Sequence, residues 1–281
     1  MIFGLALAAA LSYGAGDFLG AIATTRTKSA LPVVATSSLA GVVLLLVVAP
    51  WFDAAPTSAD LAWGAAGGIA GGVGVALFYR GLATGVMSVV APVAAVTGAV
   101  VPVAAGLIMG ERPSVLALTG VGLAIGAVAL LAVEAPGTRE VVLGSRRHAL
   151  VLALGAGGGF GVFFVLLDRT GDDAGLWPLV ASRSVTLLLA AAAAVAIGQA
   201  VVPVRGARRL SLGTGLFDMI ANACFLIANR SGLLALVAVI TSLYPASTIA
   251  LAQVFLGERL APHQLVGVGV AVAAVALIAV G

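Results

Sequence analysis

Three ionisable side chains stand well inside long apolar stretches of the chain: Asp17, Arg183 and Asp218. A charge placed in hydrocarbon costs at least ~2.5–3.5 kcal/mol on insertion scales, so each needs a partner or a task. Tyr13 lies one helical turn before Asp17, and Asn222 one turn after Asp218, on the same helical face in each case. Two acids, an arginine, a phenol and an amide on inward-facing helical surfaces would make an amphoteric lining. An ammonium would sit against an acid and a carboxylate on Arg183, which suits a zwitterion. A carboxyl inside such a chamber can also load and release a proton, so Asp17 and Asp218 are the candidates for proton coupling. The structural alternatives are a backbone or hydroxyl partner for Asp17 and an Arg183 that snorkels to the headgroups.

A second group surrounds a proline. Thr241, Ser242 and Tyr244 precede Pro245 in the middle of an apolar stretch. Proline lacks a backbone donor and leaves a carbonyl unpaired, which is one way to show polar backbone to a cavity; a packing kink is the alternative. Thr97 stands at the position matching Tyr244 in a repeat described below. Phe160, Phe163 and Tyr79 complete the candidate substrate-binding set as apolar or aromatic contacts.

The elements that must carry these residues are membrane-spanning helices. The 281 residues are 62% hydrophobic and 9% charged, against roughly 25% charged in a soluble domain. Mean hydropathy is +1.20. The apolar runs are about 20 residues long, enough to span the bilayer as helices, and they lack the two-residue alternation of a β-barrel. Cutting at Asp, Pro, Gly and Arg clusters predicts ten spans: 2–23, 32–50, 61–82, 86–109, 114–133, 148–168, 176–200, 210–229, 233–256 and 262–280. The first lacks a basic n-region and carries Asp17, so it is expected to be a retained span.

The chain also repeats itself. Residues 78–131 align with 225–278 without a gap at an offset of 147, with 18 of 54 positions identical. The matches include Phe78/Phe225, Gly85/Gly232 and the triplets Gly110-Glu111-Arg112 and Gly257-Glu258-Arg259. Five spans per half is an odd number, so the second copy starts from the opposite side and the repeats are inverted. The predicted fold is an all-α polytopic membrane protein of two inverted five-helix repeats, residues 1–135 and 148–281, joined by a linker at 136–147. In each triplet the glycine is expected to end a helix and the charged pair to meet water and headgroups.

Charge sets the expected orientation. The loops after odd spans hold Arg26, Lys28, Arg80, Arg139, Arg146, Arg147, Arg205, Arg208, Arg209 and Arg259; those after even spans hold only Arg112, Arg169 and Arg230. The arginine-rich side is therefore assigned to the cytoplasm, with both termini outside. Counting from that side at 1.5 Å per residue puts Asp17 ~9 Å deep, Asp218 ~12 Å and Arg183 ~20 Å, a layer beyond the acids. Stripes of small residues at Gly64/Gly68/Gly72/Ala76, Gly122/Gly126 and Gly157/Gly161 are expected to pack helix on helix.

This layout resembles the drug/metabolite transporter superfamily, and within it the EamA-type ten-helix members. The resemblance is carried by the Gly-Glu-Arg turns closing spans 4 and 9, by Phe78-Tyr79-Arg80-Gly81-Leu82-Ala83, by Pro92, Pro102 and Pro245, and by Tyr13-Gly14-Ala15-Gly16-Asp17-Phe18-Leu19-Gly20. It implies a secondary transporter, often an exporter of amino acids, other metabolites or drugs, with a central cavity open alternately to each side. Import through the same fold is the alternative, since nothing in the residues fixes direction.

Other classes fit poorly. An intramembrane enzyme would need catalytic groups within spans, yet His148 and His263 sit at span ends and no Gly-x-Ser-x-Gly occurs. A channel would more naturally build its pore from symmetric subunits, whereas two non-identical halves here enclose a site within one chain, so a monomer suffices. Gly155–Gly161 lacks the strand and ribose-binding acid of a dinucleotide loop. Cys224 stands alone, so no thiol metal cluster or intrachain disulfide is possible. No ATP loop or metal ligand set is present, so no cofactor is expected. The scattered basic residues form no nucleic-acid patch. The expected partners are a small-molecule substrate and the lipid bilayer, and the expected location is the cytoplasmic (inner) membrane.

Overall fold

The computed structural model describes residues 2–82, 87–131, 143–256 and 262–280. They form α1 (Ile2–Thr27), α2 (Leu31–Val48), α3 (Ser58–Leu82), α4 (Met87–Ile108), α5 (Val115–Leu131), α6 (Leu143–Asp168), α7 (Trp177–Ala196), α8 (Arg205–Arg230), α9 (Leu234–Thr241), α10 (Tyr244–Leu256) and α11 (Pro262–Val280). Helices α1, α2, α3, α6, α7 and α8 are long and apolar enough to cross a membrane, and α4, α5, α9–α10 and α11 contain shorter apolar stretches. These are the ten predicted spans. The turns expected at Thr84-Gly85 and Gly257-Glu258-Arg259, and most of the 136–147 linker, lie outside the described residues.

Two boundaries differ in ways that matter. Helix α8 begins at Arg205 rather than 210, because its first turns are amphipathic and escape a purely apolar count. The ninth span is two helices, parted at Ser242-Leu243. Pro245 has no N–H for the Thr241 carbonyl four residues back, so the chain turns through Leu243 N–H to Ile240 O at 3.2 Å and Ala246 N–H to Leu243 O at 3.0 Å. Its counterpart α4 runs through Pro92 and Pro102 without a break.

The packing repeats at the offset of 147. Helix α1 packs on α8 as α6 does on α3, α2 on α7, α5 on α11, and α4 on α6 as α9 and α10 do on α1. A β-carbon on Gly68 would collide with the Ser182 carbonyl, and one on its repeat mate Gly215 with the Ser37 carbonyl. These glycines let α3 close on α7 and α8 close on α2 through backbone contact. Gly64 and Gly157 likewise meet backbone, of Pro178 and Ala94, whereas Gly72 and Gly161 make room for the Thr186 and Val101 side chains. Gly122 and Gly126 do not: nothing lies within 4 Å of a β-carbon at either, and that stripe faces outward. In α5 the packing glycine is Gly120, against Ala274 and Ile278 of α11.

The two ends show the inversion directly. At the arginine-rich end, Arg26 closing α1 donates to the Gly206 carbonyl at 3.0 Å, near the start of α8, and Ser29 bonds Gln199. At the other end Asn229 donates to Asp168 at 2.9 Å, joining the last turns of α8 and α6. Helices α1 and α6 therefore run in opposite senses. Arg230 donates to the Gly171 and Gly175 carbonyls at 3.1 and 2.8 Å, and Asp60 accepts from the Gly171 N–H at 2.7 Å.

One expectation about the Gly-Glu-Arg turn is corrected here. Gly110 does end α4, at φ +97°, with Glu111 N–H to Gly106 O at 2.9 Å and Gly110 N–H to Leu107 O at 3.2 Å, the paired bonds of a Schellman cap. Glu111, however, does not simply meet water. Its carboxylate accepts from Leu234 N–H at 2.6 Å and Ala235 N–H at 3.0 Å. It thus caps the positive end of α9, a helix of the other repeat.

Candidate functional site

A cavity of about 60 Å³ lies between the two repeats, midway along the helices. Its lining maps onto itself at the offset of 147. Tyr13 and Phe160 face it from α1 and α6, as do Asp17 and Phe164; Gly71 and Asp218 face it from α3 and α8, as do Val75 and Asn222; Ala94 and Thr241, and Ala95 and Ser242, face it from α4 and α9–α10. Phe163, Tyr244, Gly98 and the α7 residues Ser182, Arg183 and Thr186 complete the wall.

Within this wall Arg183 Nη2 and Asp218 Oδ2 stand 2.6 Å apart, with side-chain exposures of 10% and 21%. The expected separation of arginine and acid by a layer is thus overturned. The reason is the early start of α8, which carries Asp218 thirteen residues past Arg205, or ~20 Å from that end, and the length of the arginine side chain covers the rest. Asn222 Nδ2 donates to the Asp218 carbonyl at 2.6 Å and to Oδ1 at 3.3 Å. Asp218 is held from two sides. Asp17 makes no such pair among the described residues, although it lines the same cavity as Asp218.

Several polar atoms around the cavity are buried without a hydrogen-bond partner in the protein: Arg183 Nε, Asn222 Oδ1, Thr241 Oγ1 and Tyr244 Oη. They are a donor, an acceptor and two hydroxyls that are both, all on residues that line one space. Burying such groups unpaired costs about 1–3 kcal/mol each, so their convergence calls for something polar between them. The aromatic side is organised too. The Tyr13 ring meets Phe164 and Tyr244 edge-on at 6.3 and 6.5 Å, and Phe164 stacks on Phe225 at 4.2 Å.

Of the sequence candidates, Tyr13, Asp17, Phe160, Phe163, Arg183, Asp218, Asn222, Ser242 and Tyr244 line the main cavity. Thr97 does not: its hydroxyl donates to the Val93 carbonyl at 2.8 Å, back into its own helix. Tyr79 lies in a smaller adjoining chamber, shared by Asp17, Asp218 and Arg183. Sequence reasoning missed Phe164, Gly71, Val75, Ala94 and Ala95, which are the repeat mates of Asp17, Asp218, Asn222, Thr241 and Ser242. Carrying the offset across every candidate would have found them. Among the described residues no cluster of His, Cys, Asp and Glu could hold a metal.

The comparisons fit this architecture. The model of the EamA-like transporter family matches residues 1–133 and again 147–280, one copy per repeat. The chain belongs to the EamA-like transporter family. A solved structure described only as "Crystal structure of protein" shares the fold, with a TM-score of 0.70 at 16% identity over 97% of this chain and 96% of that one. No curated protein matches the chain. Family and fold together make it a multi-pass membrane transporter of the drug/metabolite type.

Proposed function

We propose that this EamA-type transporter is a secondary transporter that exports a small zwitterionic or amphiphilic metabolite, such as an amino acid, across the cytoplasmic membrane by alternating access. The observation that carries the reading is the convergence of Arg183 Nε, Asn222 Oδ1, Thr241 Oγ1 and Tyr244 Oη, buried and unpartnered, on a chamber that also holds two acids. The Nη2 edge of Arg183 is taken by Asp218. A substrate carboxylate would therefore approach the free Nε, within reach of the Thr241 and Tyr244 hydroxyls, while Asn222 Oδ1, an acceptor, would turn to the ammonium. Asp17, the acid without an ion pair, would receive the ammonium. Phe160, Phe163 and Phe164 would cover an apolar side chain. The site lies between inverted halves, so rocking one half against the other would open it to each side in turn.

Arg183, Asp17 and their neighbours would each be contributed by a single chain, so a monomer is the proposed working unit, with the arginine-rich end in the cytoplasm. Thermal-shift and radioligand binding across an amino-acid panel test the substrate class. Stabilisation by one group of zwitterions, lost in Arg183→Ala, is expected; equal affinity of wild type and variant for every ligand removes the reading. Efflux from loaded proteoliposomes with and without an imposed pH gradient tests proton drive through Asp17 and Asp218, and equal rates rule it out.

A further inference from the structure

The smaller chamber beside the main cavity has properties of its own. It lies on the arginine-rich side of Asp17 and has a volume of about 20 Å³, enough for a water-sized body. Five helices close around it, with Asp17 from α1, Ser37 and Ser38 from α2, Tyr79 from α3, Arg183 from α7 and Thr214 and Asp218 from α8.

Most of this lining offers acceptors, although the Tyr13 and Tyr79 hydroxyls, which also line it, can donate. Ser37 already donates its proton to the Val34 carbonyl at 3.0 Å, and Thr214 to the Leu210 carbonyl at 3.0 Å. Each therefore offers only lone pairs to the chamber. Ser38 is 1% exposed, and its Oγ has no partner in the protein. Arg183 is engaged by Asp218, so its charge is met. Whenever Asp17 is ionised, its charge has no counter-ion in this lining. A water has two protons to share among Asp17 and the lone pairs of Ser37 and Thr214, whereas a cation is coordinated by several oxygens at once.

We infer that the side chamber is a site for one small monovalent cation, Na+ by size, held by the Asp17 carboxylate and the Ser37, Ser38 and Thr214 hydroxyls. Because Asp17 lines both chambers, the cation and a substrate ammonium would meet at one carboxylate, and occupation of one chamber would be felt in the other. That coupling rests on the proposed transport reading; the binding itself does not.

The test uses the full-length purified protein without substrate. Its melting temperature is measured in sodium, potassium and choline chlorides at fixed pH and ionic strength, and binding of radiolabelled sodium is counted. The expected result is a saturable rise in melting temperature with Na+ over choline and one bound sodium per chain. Asp17→Asn abolishes both, and Ser38→Ala and Thr214→Val each weaken sodium binding about tenfold, the worth of one lost contact. Size-exclusion profiles show that each variant is folded, and Ser38→Ala, a small deletion in a buried site, keeps the test open should Asp17→Asn fail to fold. Identical behaviour in Na+ and choline overturns the inference, as does a response to pH alone, which would leave Asp17 a proton site. Sodium binding that survives all three substitutions also overturns it. Substrate-panel binding retained in a protein that ignores sodium sinks this inference alone, whereas sodium binding without any organic ligand sinks the transport reading alone.

Discussion

Helix α4 and the α9–α10 pair are the same element in the two copies, yet one is continuous and the other is parted at mid-length. Where the second copy has Thr241-Ser242-Leu243-Tyr244-Pro245, the first has Ala94-Ala95-Val96-Thr97-Gly98. The α3/α8 pairs follow the same contrast, whereas the α1/α6 pairs reverse it, with Tyr13 and Asp17 matching Phe160 and Phe164. Gly71 faces Asp218 across the repeat relation, Val75 faces Asn222, and only Asp17, paired with Phe164, puts a charge in the first copy. Duplication thus supplied a symmetric scaffold, and divergence at the symmetric positions left each lining pair polar in one copy only. Packing tolerated this because the contacts that hold the bundle, such as Gly68 and Gly215 against backbone carbonyls, kept their symmetry.

The largest effect should come from breaking the ion pair that only the second repeat possesses. Arg183→Ala leaves Asp218 uncompensated in a low-dielectric wall and should cost ~3–5 kcal/mol, seen as a large fall in melting temperature. Replacing both, as Arg183→Met with Asp218→Leu, should recover most of that stability while binding of the panel ligand stays lost. A double variant as unstable as the single one would show that the pair is not a self-contained unit.

Next in size are the symmetric glycines. Gly68→Ala and Gly215→Ala should each cost ~1–3 kcal/mol, since the added carbon meets backbone that cannot rotate away. Gly122→Ala, in open space, should be neutral or stabilising by up to ~1 kcal/mol through helix propensity. Parallel melting curves settle this, and unequal costs at positions 68 and 215 would mean the symmetry is only approximate where it matters.

Third is Glu111. Glu111→Ala removes the cap from α9 and should cost ~1–2 kcal/mol. Hydrogen exchange should speed up at Leu234 and Ala235 and leave α8 unchanged. Uniform loss of protection instead would mean that the carboxylate holds the whole bundle rather than one half-helix.

Much of this was legible in the chain. Apolar length and punctuation gave the spans, and an odd span count with a constant offset implied inversion. What stayed hidden is physical. Apolar counting sets Asp218 too shallow, because it rejects the amphipathic turn that starts α8, and so it does not reveal the contact with Arg183. Gly122 and Gly126 have the spacing of a packing stripe, but spacing says nothing about which face a neighbour occupies. Glu111 was assigned to water because local pattern does not reveal a helix end arriving from 123 residues away. Thr97 had the right repeat position, yet a threonine hydroxyl in a helix can bond its own turn, which a tyrosine hydroxyl cannot reach.

That last difference gives the smallest and sharpest prediction. Tyr244 Oη is buried in the cavity wall without a partner, whereas the hydroxyl at the matching Thr97 is satisfied within α4. Tyr244→Phe removes only the unpaired oxygen and keeps the ring that meets Tyr13 at 6.5 Å. Folding stability should stay within about 0.5 kcal/mol of wild type or rise slightly, because an unpaired buried hydroxyl is a cost to the empty protein. Ligand affinity should fall about tenfold, the net worth of one hydrogen bond. Thr97→Val should leave affinity unchanged. If Tyr244→Phe binds as wild type does, the hydroxyl does not face the substrate, and the polar wall of the second repeat ends at Ser242. If Thr97→Val weakens binding equally, the two copies contribute alike, and the functional asymmetry drawn from their side chains is wrong.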